Sequence, residues 1–332
     1  MSNNRFVNAL NKLEQPTPPI WFMRQAGRYH QHYQKLKEKY TFEELCKTPE
    51  LASEVACGPI NEFDFDVAIL FSDILFPLQG LGLGLKFDPG PIFSNYINQN
   101  NLKNYSDIDI AIETLQFQKK AIQITKEQLP KSKSLIGFVG GLWTLLRFAI
   151  DKKKQISKFE EFYYLFMKDT LAPLIKKNIE LQLDAGAEIV MIFDSGLEDL
   201  DSFIYKSRYI PLIKEIIEHF PKKIGYYSRG KSYKDLNLMF DPSFAGFGVD
   251  SNIDINKFMS SYKDGFIQGN FDQKKMLLDK VQLEIEINMY CDMIMKADSL
   301  QGWVCSLGHG VNKQTPEKNV HLFIELIRKR FS

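Results

Sequence analysis

The sequence has no excess of charge of either sign, few cysteines and no long apolar run. Its 332 residues carry 42 lysines and arginines against 41 aspartates and glutamates, a net charge of +1, so we expect neither a nucleic-acid partner nor an anionic membrane. No apolar run is long enough to span a bilayer, and the first residues lack the apolar core of a signal peptide. The four cysteines have no regular spacing, which indicates free thiols in a reducing compartment. We therefore expect a cytoplasmic protein. Because its net charge is close to zero, any site that binds an anion must rely on a local group of positively charged side chains.

The common metal and nucleotide motifs are also missing. No Cys-x-x-Cys or His-x-Cys pair occurs, and Cys305 and His309 alone supply too few ligands for a tight zinc site. The glycines of residues 80–90 alternate in a pattern that is neither Gly-x-Gly-x-x-Gly nor a Walker loop, so this segment is predicted to be a loop or a small hairpin. We expect neither a bound metal nor a cofactor.

The sequence does contain a series of short apolar runs separated by helical patterns. Such runs are typical of parallel strands that are covered on both faces. The eight predicted strands are residues 20–23, 67–71, 134–140, 188–193, 223–227, 246–249, 265–268 and 302–306. Eight strands alternating with helices predict an α/β protein built as a single (β/α)₈ TIM-type barrel over residues 1–332. A doubly wound open sheet is the alternative.

Helices are predicted over residues 49–62 and 107–128, and Ser157-x-x-Glu160 matches a capping box before a further helix. Residues 281–287 alternate apolar and polar side chains with period two, which by itself favours a strand. They lie between the seventh and eighth strands, however, where a parallel connection needs a crossover. We therefore predict a helix there.

In a barrel, the residues that follow the strands line one common mouth. Here nearly all of them are polar residues or glycine: Arg24, Asp73, Gly140–Gly141, Asp194–Ser195, Ser228–Arg229, Asp250, Asn270 and His309. The pattern predicts an active site at the carboxyl ends of the strands. Asp73 follows five apolar residues and is expected to be partly buried, either as a functional carboxylate or as the ion-pair partner of an arginine.

Two arginines, Arg24 and Arg28, follow the first predicted strand with Gly27 between them. Their planar guanidinium groups can each pair with both oxygens of a carboxylate or phosphate, although intramolecular ion pairs are the alternative. His309 lies between two glycines, an arrangement that leaves it either facing a ligand or bonded within the protein.

Other polar residues have simpler interpretations. Ser195 lacks the Gly-x-Ser-x-Gly frame of a nucleophilic serine. Asp250 and Asn270 fit the role of caps for the helices that follow them. His30 and His32 lie among lysines and tyrosines and are predicted to face solvent.

Five motifs together resemble the uroporphyrinogen decarboxylase family of haem biosynthesis. They are Trp21-Phe-Met-Arg-Gln-Ala-Gly-Arg-Tyr29, Ile69-Leu-Phe-Ser-Asp-Ile-Leu75, Trp143-Thr-Leu145, Gln268-Gly-Asn270 and Leu307-Gly-His-Gly310. The resemblance runs from about residue 5 to the C-terminus. It implies a single (β/α)₈ domain, a homodimer, and no cofactor or metal. The implied reaction removes the four acetate carboxylates of uroporphyrinogen III as CO₂ and gives coproporphyrinogen III.

The resemblance also implies roles for residues of the first two motifs. Arg24 and Arg28 resemble the arginines that hold substrate carboxylates, and Gln25 and Ala26 between them are expected to contact the substrate. Asp73 resembles the aspartate that accepts hydrogen bonds from the pyrrole NH groups. A fixed carboxylate in a mouth of low dielectric constant stabilises a cationic macrocycle, typically by a few kcal/mol.

Ser195 and His309 resemble the residues that contact the propionate and acetate arms of the substrate. One part of the family pattern is missing. The family has a tyrosine five residues after the tryptophan of its Trp-Thr-Leu motif, and this chain has Phe148 at that position. Gly140-Gly141-Leu142 likewise departs from the usual Gly-x-Pro. A zinc-dependent corrinoid or thiol methyltransferase, and a non-catalytic tetrapyrrole carrier, are the alternative functions.

Overall fold

The computed structural model describes residues 4–101, 105, 107–151 and 159–332. The strands in these ranges are β1 (Val67–Ile69), β2 (Leu85–Phe87), β3 (Pro91–Phe93), β4 (Ser134–Gly140), β5 (Val190–Asp194), β6 (Ile224–Ser228), β7 (Phe244–Gly248), β8 (Phe266–Phe271) and β9 (Trp303–Leu307). The predicted capping box at Ser157 lies outside the described residues.

The first eight helices are α1 (Asn4–Leu10), α2 (Gln31–Lys37), α3 (Phe42–Lys47), α4 (Pro49–Phe63), α5 (Phe76–Gly80), α6 (Ile108–Glu113), α7 (Gln116–Gln128) and α8 (Leu142–Ala149). The remaining helices are α9 (Glu161–Phe166), α10 (Ala172–Asp184), α11 (Ser202–Ile204), α12 (Ile210–His219), α13 (Tyr233–Asn237), α14 (Ile255–Ser261), α15 (Lys280–Ile294) and α16 (Glu317–Arg330). Of the helices in the described ranges, none has the length and apolar character needed to cross a membrane.

Seven strands form one curled parallel sheet in the order β1-β4-β5-β6-β7-β8-β9. Helices connect consecutive strands of this sheet, as parallel strands require. The sheet confirms seven of the eight predicted strands and the α/β class. The remaining two strands, β2 and β3, pair as a small antiparallel hairpin. Of the two predictions for the glycine-rich residues 80–90, a loop or a small hairpin, the structure thus has the hairpin, which extends to Phe93.

The first predicted strand is reduced to a single bridge between Ile20 and Cys305 of β9. On one side of this segment the Cys305 N–H donates to the Pro19 carbonyl, and on the other the Asp66 N–H donates to the Ile20 carbonyl, both at 2.9 Å. The segment therefore lies between β9 and β1. It is short because Pro18 and Pro19 precede it without N–H donors, and because a left-handed turn follows it.

Buried side chains form two separate apolar clusters on the two faces of the sheet. The outer cluster packs the strands against the helices and includes Ile20, Ile192 and Tyr226. The inner cluster takes the alternating positions, such as Met191 between Val190 and Ile192, because successive side chains of a strand point to opposite faces. The inner members are Phe6, Ala9, Trp21, Met23, Val67, Ile136, Ile189, Met191, Tyr227, Ala245, Phe266 and Val304.

The helix predicted over residues 107–128 is two helices, α6 and α7, so that prediction is wrong at its centre. The break falls at Thr114 and Leu115. The Thr114 hydroxyl donates to the Ala111 carbonyl at 2.6 Å, and the Leu115 N–H bonds to the Ile112 carbonyl three residues back. These shorter bonds tighten the chain and end α6.

Residues 281–287 are helical, as predicted, and their period-two pattern has a structural explanation. Helix α15 has apolar side chains on two opposite faces. Leu283, Ile287 and Cys291 are fully buried, whereas Val281 is 67% exposed and Ile285 is 55% exposed. An alternating sequence therefore arises from a helix with one buried and one exposed apolar face.

Candidate active site

Several of the predicted mouth residues lie close together at the carboxyl edge of the sheet. Arg24 ends the first segment, and Asp73 and His309 follow β1 and β9, which flank that segment. The aliphatic part of the Arg24 side chain lies against Gly310. A Cβ atom added to Gly310 would be only 2.6 Å from the Arg24 Cδ atom and would clash with it. The glycine after His309 thus allows this close approach. Arg24, Asp73 and His309 therefore form one cluster.

Arg24 and Arg28 are both exposed, and within residues 4–101, 105, 107–151 and 159–332 neither has a carboxylate at ion-pair distance. The alternative in which both arginines form intramolecular ion pairs is therefore wrong for this part of the chain. Arg24 has a φ angle of 62°, in the left-handed region that favours glycine. This strained turn directs a cation toward the mouth.

The turn is held in place by Gln25, which is buried. Its side-chain oxygen accepts from the Phe22 N–H at 3.1 Å, and its amide nitrogen donates to the Val67 carbonyl of β1 at 2.8 Å. The Tyr29 hydroxyl donates to the Gln25 carbonyl. Both ends of the Gln25 amide are thus engaged within the protein, whereas the next residue, Ala26, is half-buried.

Asp73 is half-buried just after β1, as predicted. One of its carboxylate oxygens accepts from the Leu75 N–H at 2.9 Å, which orients the group. Burial raises the pKa of Asp73 to about 6, against the opposing effects of the Leu75 hydrogen bond and the Arg24 charge. No other hydrogen bond to this carboxylate is made by a described residue. The second oxygen is left available to a ligand.

His309 is half-buried, and its Nδ1 atom accepts from the Gly310 N–H at 2.7 Å. The proton of the neutral ring therefore lies on Nε2, which can act as a donor. Burial lowers the pKa of His309, and the positive charges of Arg24 and Arg229 lower it further. At neutral pH, His309 is an uncharged hydrogen-bond donor.

Three predicted mouth residues, Asp194, Asp250 and Asn270, serve structural roles, and Asp194 is the first of them. Asp194 is fully buried and accepts hydrogen bonds from the Thr144 N–H at 2.8 Å, the Thr144 hydroxyl and the Tyr209 hydroxyl. An added Cβ at Gly141 would lie 2.3 Å from the Asp194 Oδ2 atom, so glycine is required there. Asp194 thus fixes the start of α8. Its neighbour Ser195 is half-buried.

The prediction that Asp250 and Asn270 cap helices is wrong. Asp250 accepts from the Gly230 N–H at 3.0 Å, and the Asn270 amide donates to the Asp250 carbonyl at 2.8 Å. The two residues connect the loop after β6, the loop after β7 and the end of β8 to one another. Helices α14 and α15 are capped instead by Asp254 and Asp279.

His30 is also misassigned by the sequence, since it is 2% exposed and packs on Phe63 with ring centroids 5.0 Å apart. His32 is partly exposed. Cys305 is fully buried in β9 and does not face the mouth together with His309. The described residues contain no group of three or more histidine, cysteine, aspartate or glutamate side chains arranged to hold a metal ion.

Sequence analysis missed an apolar surface at the base of the mouth. Ile69, Phe138 and Phe193 pack against the inner cluster but are only partly buried, so part of each side chain remains accessible. The rings of Phe138 and Phe193 are 5.8 Å apart, and Tyr227 lies 6.0 Å beyond Phe193. Period-two alternation within the strands is the signal that identifies these inward-facing side chains. The surface suits a large, flat, apolar ligand.

Two further residues were not assigned roles from the sequence. The Tyr227 hydroxyl donates to the Gly308 carbonyl at 3.0 Å, and its ring is perpendicular to that of His309. Arg229 follows β6 directly and is more than half exposed. Phe148 is half-buried, and its ring lies 6.2 Å from Phe93 of the hairpin.

Comparisons with known proteins give a consistent result. The family model described as uroporphyrinogen decarboxylase matches residues 1–330. The uroporphyrinogen decarboxylase of Orientia tsutsugamushi (strain Ikeda) is 34% identical over an alignment 350 residues long, gaps included, which covers 99% of each chain. That of Helicobacter pylori (strain Shi470) is 34% identical over 98% of each chain. A solved methyltransferase from Methanosarcina mazei shares the fold, with a TM-score of 0.78 over 99% of each chain at 16% identity.

Proposed function

The chain belongs to the uroporphyrinogen decarboxylase family and is a carboxy-lyase of porphyrin biosynthesis; from this premise we propose how its mouth carries out the reaction. The substrate is uroporphyrinogen III, and the four acetate side chains lose CO₂ to give coproporphyrinogen III. The observation that carries the proposal is the Asp73 carboxylate. It lies half-buried beside an arginine without forming an ion pair, and described residues form a hydrogen bond with only one of its oxygens.

The substrate carries eight carboxylates, whereas the protein has a net charge of only +1. Local cations must therefore hold the substrate. Arg24 and Arg28 are exposed and lack carboxylate partners among the described residues, so their guanidinium groups remain available for substrate carboxylates. Ser195 and His309 supply neutral donors to the acetate and propionate arms. Gln25 acts by holding the turn, and Ala26 lies beside the substrate.

Decarboxylation needs an electron sink, which an electron-rich pyrrole becomes when a ring carbon is protonated. The bond between the acetate CH₂ group and its carboxylate then breaks, CO₂ leaves, and the bonding electrons neutralise the ring cation. Protonation of the resulting exocyclic CH₂ and loss of the added ring proton leave a methyl group on an intact pyrrole. Asp73 accepts hydrogen bonds from the pyrrole NH groups and stabilises the cation, by a few kcal/mol in such a site. No cofactor takes part in this scheme.

The surrounding structure supports the finer assignments. The segment at Ile20 forms backbone hydrogen bonds with β9 on one side and with the residue before β1 on the other. A separate apolar cluster fills the inner face of the curled sheet. Both features support a closed (β/α)₈ barrel that forms one domain over residues 1–332. All four cysteines are buried and free, which supports a reducing, cytoplasmic location. The family resemblance supports a homodimer. The methyltransferase alternative rests on a shared fold alone, and fold does not determine function.

The experiment that tests the proposal compares Asp73→Asn and Asp73→Glu with the unmodified protein. Turnover of uroporphyrinogen III is followed under anaerobic conditions, with products separated by their number of carboxylates. We expect Asp73→Asn to lower kcat by a factor of about 100 or more, roughly 3 kcal/mol, because it removes the charge that stabilises the cation. Asp73→Glu keeps the charge and should retain more activity than Asp73→Asn.

Asp184→Asn is the matched control, because Asp184 is exposed at the end of α10, before β5 and therefore at the opposite edge of the sheet. It should turn over at the normal rate. Circular dichroism establishes that each variant is folded. A folded Asp73→Asn variant with near-normal kcat at saturating substrate would contradict the proposed role.

A further inference from the structure

We infer that Arg229 is a third arginine that binds a substrate carboxylate, at the end of a different strand of the mouth from Arg24 and Arg28. The inference rests on the proposed function. Arg229 directly follows β6, which is the middle strand of the sheet, with two strands between it and β1 and two between it and β9. Arg24 ends the segment that lies between β1 and β9. The two arginines thus approach the mouth from different sides.

The backbone around Arg229 is held at the mouth by contacts on both sides. Ser228 is in register with Asp194 of β5, so Arg229 stands beside Ser195, one of the residues proposed to contact the substrate arms. The Gly230 N–H donates to the Asp250 carboxylate at 3.0 Å. These contacts place the arginine at the mouth even though its side chain is exposed.

The side chain is available to bind a ligand. The Arg229 side chain is 54% exposed. Its ion pair with Glu198 is long, with 3.7 Å between the Arg229 Nε atom and the Glu198 Oε2 atom. Such an exposed pair contributes little to stability. No described residue forms a hydrogen bond with the Arg229 side chain. The two terminal nitrogens are therefore free to bind both oxygens of a carboxylate.

The charge of Arg229 also acts within the mouth. It adds to the effect of burial in lowering the pKa of His309, and it opposes the burial that raises the pKa of Tyr227. The next cation along the chain, Lys231, is already engaged, because its Nζ atom donates to the Leu200 carbonyl and lies over the ring of Tyr205.

The substrate explains why a cation is useful on this side. Its carboxylates are distributed around the whole macrocycle, so cations at one edge of the mouth cannot hold all of them. His309 is neutral at neutral pH, and Ser195 carries no charge. Arg229 provides a fixed positive charge beside Ser195. Its ligand is either a propionate, which persists through all four steps, or an acetate, which is lost.

The test measures binding and turnover separately. Dissociation constants are measured by fluorescence for uroporphyrin, which has eight carboxylates, and for coproporphyrin, which keeps only the four propionates. Arg229→Ala should raise the Kd for uroporphyrin about tenfold or more, and Arg229→Lys should recover part of the loss. In turnover assays Arg229→Ala should raise KM by a similar factor and change kcat less than about threefold.

A second arginine serves as the matched control. Arg330 is paired with Asp292 at the carboxyl end of α16, away from the mouth. Arg330→Ala should bind both porphyrins normally. An equal loss for both porphyrins in Arg229→Ala identifies a propionate as the ligand, and a loss confined to uroporphyrin identifies an acetate.

The inference is overturned if folded Arg229→Ala binds uroporphyrin within twofold of the unmodified protein. An unmodified protein that does not decarboxylate uroporphyrinogen would instead contradict the proposed function, and the binding measurement would still decide the role of Arg229. If the unmodified protein binds neither porphyrin, the inference fails as well.

Discussion

The protonation state of Asp73 links its surroundings to the pH dependence of the reaction. Burial raises its pKa to about 6 from 3.8, and the proposed role requires the charged form. We therefore expect kcat/KM to fall as the pH decreases through about 6, approaching a tenfold loss per pH unit below that value. A profile of kcat/KM from pH 5 to 8 measures this decrease. The residual activity of Asp73→Asn should not show the decrease near pH 6, because the carboxyl group that titrates there is absent.

Loss of stability does not explain that expected decrease. Because the folded-state pKa of Asp73 lies above that of the unfolded chain, its protonation favours the folded form. This contribution to stability is full below about pH 3.8 and is lost as the pH rises through about 6. A profile that is flat down to pH 5 would contradict the requirement for a carboxylate.

Phe148 occupies the position where the family pattern has a tyrosine. Its ring packs near Phe93 of the β2–β3 hairpin, and the proposed site binds substrate through other groups. We expect Phe148→Tyr to change kcat/KM by less than about threefold in the anaerobic assay. A gain of tenfold or more, about 1.4 kcal/mol in the barrier, would show instead that the missing hydroxyl limits this enzyme.

At the scale of secondary structure elements, α15 offers two isoleucines that differ mainly in their environment. Ile287 is fully buried, whereas Ile285 is 55% exposed on the opposite face. Ile287→Ala should lower the free energy of unfolding by about 2–5 kcal/mol because it leaves a cavity. Ile285→Ala should change it by less than about 0.5 kcal/mol. Urea unfolding of the two variants measures both values, and equal losses would contradict the two-faced helix.

The loops at the carboxyl edge of the sheet depend on contacts between elements. Asp194, Asp250 and Asn270 each follow or end a strand, yet their side chains bind other loops and helix ends. Positions after strands therefore divide into two groups: residues that hold the mouth together and residues that face it. Gly141, which packs against Asp194, belongs to the first group.

For the whole molecule, we expect full activity without a bound metal. The sequence lacks zinc-ligand motifs, and the described residues contain no cluster suited to a metal. Dialysis against a chelator should leave kcat and KM unchanged, with metal content measured by elemental analysis in parallel. Activity that is lost on chelation and restored by zinc would overturn this expectation.

The sequence by itself determined the order of the seven strands in the parallel sheet, since hydrophobic period and turn residues act locally. It also identified Arg24, Asp73 and His309 as candidates, because residues after parallel strands meet at one edge whatever the details of packing. The five motifs were sufficient to indicate the family, which the comparisons confirmed. The helical assignment of residues 281–287 was correct for a topological reason, since a parallel connection must cross back over the sheet.

Only the tertiary structure decided which of these polar residues face the mouth. The engagement of Gln25 with Val67 and the burial of His30 against Phe63 depend on strand register and helix placement, which bring together residues far apart in sequence. Likewise, Arg229 is one exposed arginine among many in the sequence. Its place beside Ser195 follows from the pairing of β5 with β6, because hydrogen bonds between strands set positions that no local pattern encodes.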